Sequence, residues 1–193
     1  MGQYWKAIMG DKNGENVVTF GMPTYFPKLM EHAYYGNNYV EYVCMFLSQR
    51  QHSRICWLGD YAENEDFEEL FTDKKFYPSF EIEDVWNDDL LPVVTNIQVD
   101  FKSVNKFLIN YDTKEFIDLN KNFKLAGNDK LKIHPLPLLT AVGNDKGFGD
   151  FHEDFAAQGY ENVGKWTWNL VGLKDSPPEN FTEANYVFIE ERS

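Results

Sequence analysis

Carboxylate and imidazole side chains are the groups in this sequence that are best suited to chemistry. The chain has four histidines, and three of them stand in Glu31-His32, His134-Pro135 and Asp150-Phe151-His152. Asp150 and His152 would share one face of an extended segment. Such groups activate water on a metal or act in general acid and base catalysis. The candidate catalytic residues are Glu31, His32, Asp60, His134, Asp150 and His152.

The metal and the cofactor stay open for this candidate cluster. The spacing of its members matches no known metal signature, so no cofactor is predicted and a divalent ion is possible. Buried histidines and aspartates in turns are the structural alternative. Nucleophilic catalysis has little support, because neither Cys44 nor Cys56 is flanked by a base and no Gly-x-Ser-x-Gly motif occurs. Both cysteines are predicted to be reduced thiols in the core.

A glycine-rich segment at residues 143–149 is a second candidate site. It follows a predicted strand, a setting in which backbone amides can hold a phosphate. It matches neither the P-loop nor the dinucleotide fingerprint, and Asp145 and Asp150 would repel a phosphate unless a cation intervened. A purely structural loop is the favoured alternative. The candidate binding residues here are Gly143, Gly147 and Gly149.

Trp166-Thr167-Trp168 is predicted to lie in a strand. Alternation along a strand would place Trp166 and Trp168 on one face, either in the core or stacked on a ring-shaped ligand. Core packing is the simpler explanation in a chain that is 17% aromatic.

Most of the negative charge lies in residues 60–89, which we call the acidic segment. It holds twelve acidic residues against Lys74 and Lys75, a net charge of −10 out of −13 for the whole chain. Such charge opposes binding to nucleic acids and to anionic membranes, and it favours a basic protein partner. Phe67, Leu70 and Phe71 recur at helical spacing and predict an amphipathic helix whose polar face is a binding surface. Its candidate residues are Glu63, Glu65, Asp66, Glu68 and Glu69.

The elements that must position these residues predict a single α+β domain over residues 1–193, with a mostly antiparallel sheet and two to three short helices. Segments 4–9 and 17–21 flank Asn13-Gly14 as a first hairpin, and 107–111 with 115–119 form a second. Helices are predicted over 28–35 and after Asn38, with Glu41 at the capping-box position. The remaining predicted strands are 54–58, 165–173 and 185–190, and 131–142 is predicted to be an edge strand or extended because of Pro135 and Pro137.

No apolar run reaches the length of a membrane span, and no secretion signal opens the chain, so a cytoplasmic location is expected. The oligomeric state is left open.

Several motifs together resemble a family of small bacterial and phage proteins of unassigned activity. The motifs are Gly2-Gln3-Tyr4-Trp5-Lys6, Lys28-Leu29-Met30-Glu31-His32, Gly59-Asp60-Tyr61-Ala62 and His134-Pro135-Leu136-Pro137-Leu138-Leu139-Thr140-Ala141. The resemblance implies a shared fold and a microbial context. The family's loop is richer in glycine and ends Gly-Asp-Tyr, whereas this chain has Gly147-Phe148-Gly149-Asp150-Phe151.

Three functions compete on this basis. The first is a non-enzymatic binding protein, of an inhibitor, immunity or anti-defence type, that presents the acidic segment to a basic partner. The second is a metal-dependent or nucleotide-handling hydrolase that uses the Glu, His and Asp cluster. The third is a structural subunit of an assembly that pairs through an exposed strand at 185–190. The concentration of charge favours the first.

Overall fold

The computed structural model describes residues 3–20, 28–66, 80–87, 92–94, 107–125, 132–143 and 158–189. Within these residues, nine strands form one mixed, mostly antiparallel sheet in the order β4-β2-β1-β3-β8-β5-β6-β9, with β7 also paired to β3. The strands are β1 (Trp5–Gly10), β2 (Val18–Phe20), β3 (Ser53–Gly59), β4 (Val93–Val94), β5 (Phe107–Asn110), β6 (Glu115–Asp118), β7 (Ala141–Val142), β8 (Leu170–Lys174) and β9 (Thr182–Glu183).

Five α-helices lie in the described residues. They are α1 (Leu29–His32), α2 (Asn38–Gln49), α3 (Ile82–Trp86), α4 (Leu119–Leu125) and α5 (Pro135–Leu139). The predicted α+β class with a mostly antiparallel sheet is therefore confirmed.

Strands β1 and β3 form the centre of the molecule and are buried along their whole length. Their side chains alternate between two hydrophobic clusters, because successive residues of a strand point to opposite faces. Trp5 and Trp57 belong to the larger cluster, which includes residues of α1, α2 and α5. Ile8 and Cys56 belong to the smaller cluster on the other face. A sheet that is covered on both faces explains why these two strands are apolar at nearly every position.

Both predicted hairpins are confirmed. Strand β1 pairs with β2, and β5 pairs with β6, in antiparallel register. The first connection is a wide loop and not a two-residue turn, because the Asp11 carboxylate accepts hydrogen bonds from the backbone N–H groups of Asn13 and Glu15. Gly14 has the positive φ angle, 84°, that the Asn-Gly pair predicted.

The N-cap of helix α2 lies one residue earlier than predicted. Asn37, not Asn38, is the N-cap, and its side chain accepts a hydrogen bond from the backbone N–H of Tyr39. Glu41 reaches back as expected, but it accepts from the N–H of Gly36 at 3.2 Å. Two adjacent asparagines made the choice of cap ambiguous in the sequence.

The prediction of an extended segment over residues 131–142 is wrong. Residues 135–139 form helix α5, and only Ala141–Val142 is a strand. Pro135 and Pro137 fall in the first turn of α5, where backbone N–H groups have no partner within the helix, so neither proline removes a hydrogen bond. The His134 side chain caps the helix by accepting from the N–H of Leu136.

The strands predicted over 165–173 and 185–190 are also corrected. Strand β8 begins only at Leu170, and Lys165 to Trp168 form turns that include a positive φ angle of 56° at Trp168. The chain therefore does not alternate there as a strand would. In residues 185–189 the structure has only an isolated bridge from Ile189 to Gln158, and β9 lies earlier, at Thr182–Glu183.

Candidate functional site

Strands β3 and β7 run parallel and end side by side at one edge of the sheet. Their register pairs Trp57 with Ala141 and Leu58 with Val142, so Gly59 and Gly143 come next to each other. A Cβ atom on Gly59 would lie 2.2 Å from Oε1 of Gln3, and one on Gly143 would lie 2.4 Å from the same atom. A larger residue at either position would displace the buried Gln3 side chain, which packs directly on the backbone beside the Trp5 ring.

Asp60 follows directly and fastens the start of the chain to the end of β3. Its carboxylate accepts a hydrogen bond from the backbone N–H of Tyr4 at 2.9 Å, and its own N–H donates to the carbonyl of Tyr4 at 2.9 Å. Partial burial raises the pKa of Asp60 above its usual value, although the bond from Tyr4 opposes that shift. We call Gln3, Tyr4, Gly59, Asp60, Tyr61 and Gly143 the Asp60 corner.

Two tyrosines at this corner are exposed to solvent. Tyr4 is 47% exposed and Tyr61 is 41% exposed, and they are the only large hydrophobic side chains exposed in the described part of the chain. Tyr4 also forms a bridge with Lys28, which places the start of α1 beside it. Glu31 of that helix accepts a hydrogen bond from the N–H of Lys28 at 3.0 Å. The exposed rings thus lie next to carboxylates.

Two described parts of the acidic segment, residues 60–66 and 80–87, lie at this corner and on the second face of the sheet. Ala62, Phe80 and Val85 are buried in the smaller cluster and hold these two parts against the strands. Four carboxylates in them are exposed: Glu63, Glu65, Glu81 and Glu83. Asp66 is half-buried and caps the helical turn at 64–66 by accepting from the N–H of Glu63 at 2.7 Å. Glu68 and Glu69, with the rest of the predicted amphipathic helix, lie outside the described residues.

His32 is used on both ring nitrogens inside the larger cluster. The indole N–H of Trp57 donates to Nε2 at 2.7 Å, so Nδ1 bears the proton and donates to the carbonyl of Lys28 at 2.6 Å. The residue is 1% exposed, and burial lowers its pKa from 6.5 to about 4. The imidazole is neutral at pH 7 and is a packing residue in this geometry.

His134 is also buried and hydrogen-bonded. Its Nδ1 accepts the N–H of Leu136 at 3.2 Å, and its Nε2 lies 3.8 Å from Sγ of Cys44. Burial lowers the pKa of His134 from 6.5 to about 3, and burial raises the pKa of the Cys44 thiol. This Cys and His pair is therefore a neutral contact in the core and not an activated nucleophile.

The structure thus gathers some of the predicted site residues and separates others. Asp60 and Gly143 meet at the Asp60 corner, whereas His32 and His134 lie in the interior. In the part of the chain that the structure describes, no three His, Cys, Asp or Glu side chains lie close enough to hold a metal ion. The other candidates, Gly147, Gly149, Asp150 and His152, lie outside the described residues.

The two tryptophans do not share a face, contrary to the prediction. Trp166 packs in the larger cluster and Trp168 in the smaller one. The indole N–H of Trp166 donates to Glu115 at 3.3 Å, and the Trp168 ring meets Phe80 edge to face at 5.5 Å. Both rings are packing residues, at 1% and 0% exposure.

Tyr4 and Tyr61 are the surface residues that the sequence did not single out. In a chain with 32 aromatic residues, nothing in the local pattern separates an exposed ring from a buried one.

In the described residues, no helix has the length and apolar character of a membrane span. Compared with protein-family models, with curated proteins and with solved structures, the chain matches none.

Proposed function

We propose that this protein is a non-enzymatic binding protein that captures a basic protein partner on the Asp60 corner and the adjoining acidic segment. The main support is that the two exposed tyrosines of the described chain, Tyr4 and Tyr61, flank Asp60, where the acidic segment begins. Tyrosine is enriched at protein interfaces because its ring gives a large contact area and its hydroxyl still bonds to water or to a partner.

The charge around the tyrosines favours a cationic partner. Glu31, Glu63 and Glu65 are exposed near these rings or just after them in the chain. An anionic surface of this kind raises the rate of encounter with a basic protein and repels other acidic proteins. The remainder of the chain has a net charge of only −3, so the attraction would be directed to one side of the molecule.

The corner is also held in place before any partner arrives. The backbone of Tyr4 bonds to Asp60 through both its N–H and its carbonyl, and it bridges to Lys28 on its other side. Glycine at positions 59 and 143 lets Gln3 pack tightly beneath. Ordering side chains and loops costs binding free energy, so a surface that is already ordered binds more tightly for the same contacts.

Binding is favoured over hydrolysis by the state of His32 and His134, the two histidines of the candidate catalytic cluster that the structure describes. His32 and His134 are each 1% exposed, neutral and hydrogen-bonded to the protein, so neither can meet a substrate without unfolding its surroundings. An inhibitor, immunity or anti-defence role agrees with the resemblance to small bacterial and phage proteins. The two buried free cysteines agree with a reducing compartment such as the cytoplasm.

The proposal is tested with three double variants in a capture and kinetics experiment. Glu63→Lys with Glu65→Lys reverses the charge, Tyr4→Ala with Tyr61→Ala removes the rings, and Asp175→Lys with Glu179→Lys makes the same charge change at an exposed site after β8. A basic protein captured from a bacterial lysate is purified, and its association and dissociation are measured against each variant over a range of salt concentrations.

We expect the charge reversal at 63 and 65 to slow association by about tenfold at low salt, with a smaller effect at high salt. Loss of the two rings should speed dissociation by about tenfold or more, because buried tyrosines are common hot spots. The control pair should bind like the unmodified protein. If all three variants capture the same proteins with the same kinetics, this surface is not the interface.

A further inference from the structure

A polar groove lies at the opposite end of β1 and β3 from the Asp60 corner. It has a volume of about 460 Å³ and lies between the loop after β1 and the end of α2. Its walls include Lys12 and Asn13 from that loop, Arg50 and His52 from the connection between α2 and β3, and Ser53 at the start of β3. The volume falls in the range of small-molecule sites.

The one carboxylate of this groove is used by its own loop. Oδ1 of Asp11 accepts from the backbone N–H groups of Asn13 and Glu15, and Oδ2 accepts from the Asn16 side chain at 2.6 Å. These bonds shape the loop and engage both oxygens of the carboxylate. Its negative charge is opposed by the nearby Arg50 guanidinium. Asp11 therefore acts as a brace for the groove and not as its ligand.

The remaining polar groups in the walls can donate hydrogen bonds. Within the described chain, neither Lys12 nor Arg50 forms an ion pair within 4 Å. Arg50 lies over the Phe46 ring at 4.6 Å, and its charge also acts on the Asp11 carboxylate. His52 rests on the Tyr111 ring at 5.5 Å, which sets the orientation of its imidazole. A lining that gathers ammonium, guanidinium, imidazole and amide donors suits an anion with several oxygens.

Ser53 gives a second and independent sign of a ligand. Its residue is 0% exposed, it lines the groove, and its hydroxyl has no hydrogen-bond partner in the described structure. An unsatisfied buried hydroxyl costs free energy unless a ligand or a bound molecule satisfies it.

From this arrangement we infer that the groove binds a small phosphate monoester through Lys12, Arg50, His52 and Ser53. A dianionic phosphate matches several donors around one space better than a carboxylate does, because it has three terminal oxygens and twice the charge. The groove volume leaves room for an attached group of sugar or nucleoside size.

A competing role for these cations is to offset the carbonyl end of α2. That helix ends at Gln49, and a positive side chain such as that of Arg50 stabilises a helix C-terminus. The two roles differ in their consequences. If Arg50 only stabilises the helix, Arg50→Gln should lower the melting temperature, and neither the unmodified chain nor the variant should bind phosphate. If the groove is a phosphate site, the unmodified chain should bind saturably and the substitution should weaken that binding.

The test is a titration of the isotope-labelled full chain, followed by backbone amide shifts at low ionic strength. The probes are inorganic phosphate, adenosine monophosphate, adenosine and acetate. The variants are Lys12→Gln, Arg50→Gln and Ser53→Ala, and Lys121→Gln removes an exposed lysine from α4 as the control. The spectrum and melting temperature of each variant report whether it folds.

We expect phosphate and the monophosphate to shift the amides of residues 11–16 and 50–53 saturably, while adenosine and acetate have little effect. Loss of Arg50 or Lys12 should weaken binding by about tenfold, and loss of the Ser53 hydroxyl by a smaller factor. The Lys121 control should bind normally. The inference is overturned if folded Lys12 and Arg50 variants bind like the unmodified chain, or if shifts spread over exposed lysines without saturation.

Discussion

Acidification should destabilise this fold through its two buried histidines. The pKa of His32 is lowered from 6.5 to about 4 and that of His134 from 6.5 to about 3, in both cases by burial. In the unfolded chain both would titrate near 6.5, so the unfolded state binds more protons at any pH between these values. With respect to these two histidines, the free energy of unfolding is therefore greatest above pH 6.5 and decreases as the pH falls toward 4.

The size of the effect follows from these values. At a pH of about 5.5, protonation of each histidine in the unfolded chain favours unfolding by about 1.4 kcal/mol, or about 3 kcal/mol for both. Folded domains have only about 5–15 kcal/mol of stability in total, so such a loss is easily measured. Protonation of carboxylates works in the opposite direction, because it relieves repulsion within the acidic segment.

Urea unfolding followed by tryptophan fluorescence, at a pH of about 7.5 and again at about 5.5, separates these two effects if a variant that lacks both buried histidines is measured alongside. His32→Gln keeps groups that can accept from Trp57 and donate to Lys28, and His134→Asn keeps an acceptor for the N–H of Leu136. Every carboxylate is the same in the two proteins.

We expect the unmodified chain to lose about 3 kcal/mol more than the double variant over this interval, and each single variant to show about half of the difference. Equal pH dependence of the unmodified and double-variant proteins would show that both histidines are accessible to protons in the folded state. The hydrogen-bond assignment for His32 and His134 would then be wrong.

Three further stability predictions concern close packing and the buried arginine. Gly59→Ala should cost about 1–3 kcal/mol, because its Cβ would lie 2.2 Å from Oε1 of Gln3, and Gln3→Ser in the same chain should recover much of that loss in a thermal melt. Gly159→Ala should cost at least about as much in the same assay, because φ is 89° and the new Cβ would meet a rigid backbone carbonyl at 2.2 Å. Asp112→Ala removes the carboxylate that pairs with the buried Arg54 guanidinium at 3.0 Å. Since the Asp112 side chain is 39% exposed, we expect a loss of about 2 kcal/mol in urea unfolding and a smaller one for Asp112→Asn.

The elements that the sequence predicts well are those whose local pattern and tertiary surroundings agree. Strands β1 and β3 are apolar and bounded by turn residues, and α2 has a cap followed by an apolar run, so a local reading suffices. Residues 135–139 differ, because two prolines usually exclude a strand interior and a helix interior alike. Only the position of His134 as a cap shows that both prolines fall in a first turn, where a helix accepts them.

Trp166 and Trp168 show a second limit of local pattern. Their alternation is the same as that of a strand, but a positive φ angle of 78° at Gly164 and another of 56° at Trp168 reverse the chain. The N–H of Trp168 donates to the carbonyl of Ile55, and its carbonyl accepts from Arg54 at 2.9 Å. These distant partners fix a backbone conformation that the tryptophan would not adopt by itself.

The roles of the candidate site residues depend even more on distant partners. His32 is a packing residue because Trp57, 25 positions away, donates to its ring, and His134 faces Cys44, which is 90 positions away. The exposure of Tyr4 follows from its pairing with Asp60 across 56 positions. A sequence lists which groups are present, and only the fold decides which of them water and partners can reach.

The pairing of β1 with β3 places the two proposed surfaces at opposite ends of the same two strands. Six consecutive residue pairs, from Trp5 with Gly59 to Gly10 with Arg54, hold these strands together. The Asp60 corner lies at one end and the polar groove at the other, roughly 20 Å away by the rise per residue of a strand. The corner is surrounded by exposed carboxylates, and the groove is lined by Lys12 and Arg50. A basic partner drawn to the corner would therefore leave the groove at the other end of these strands open to a phosphate.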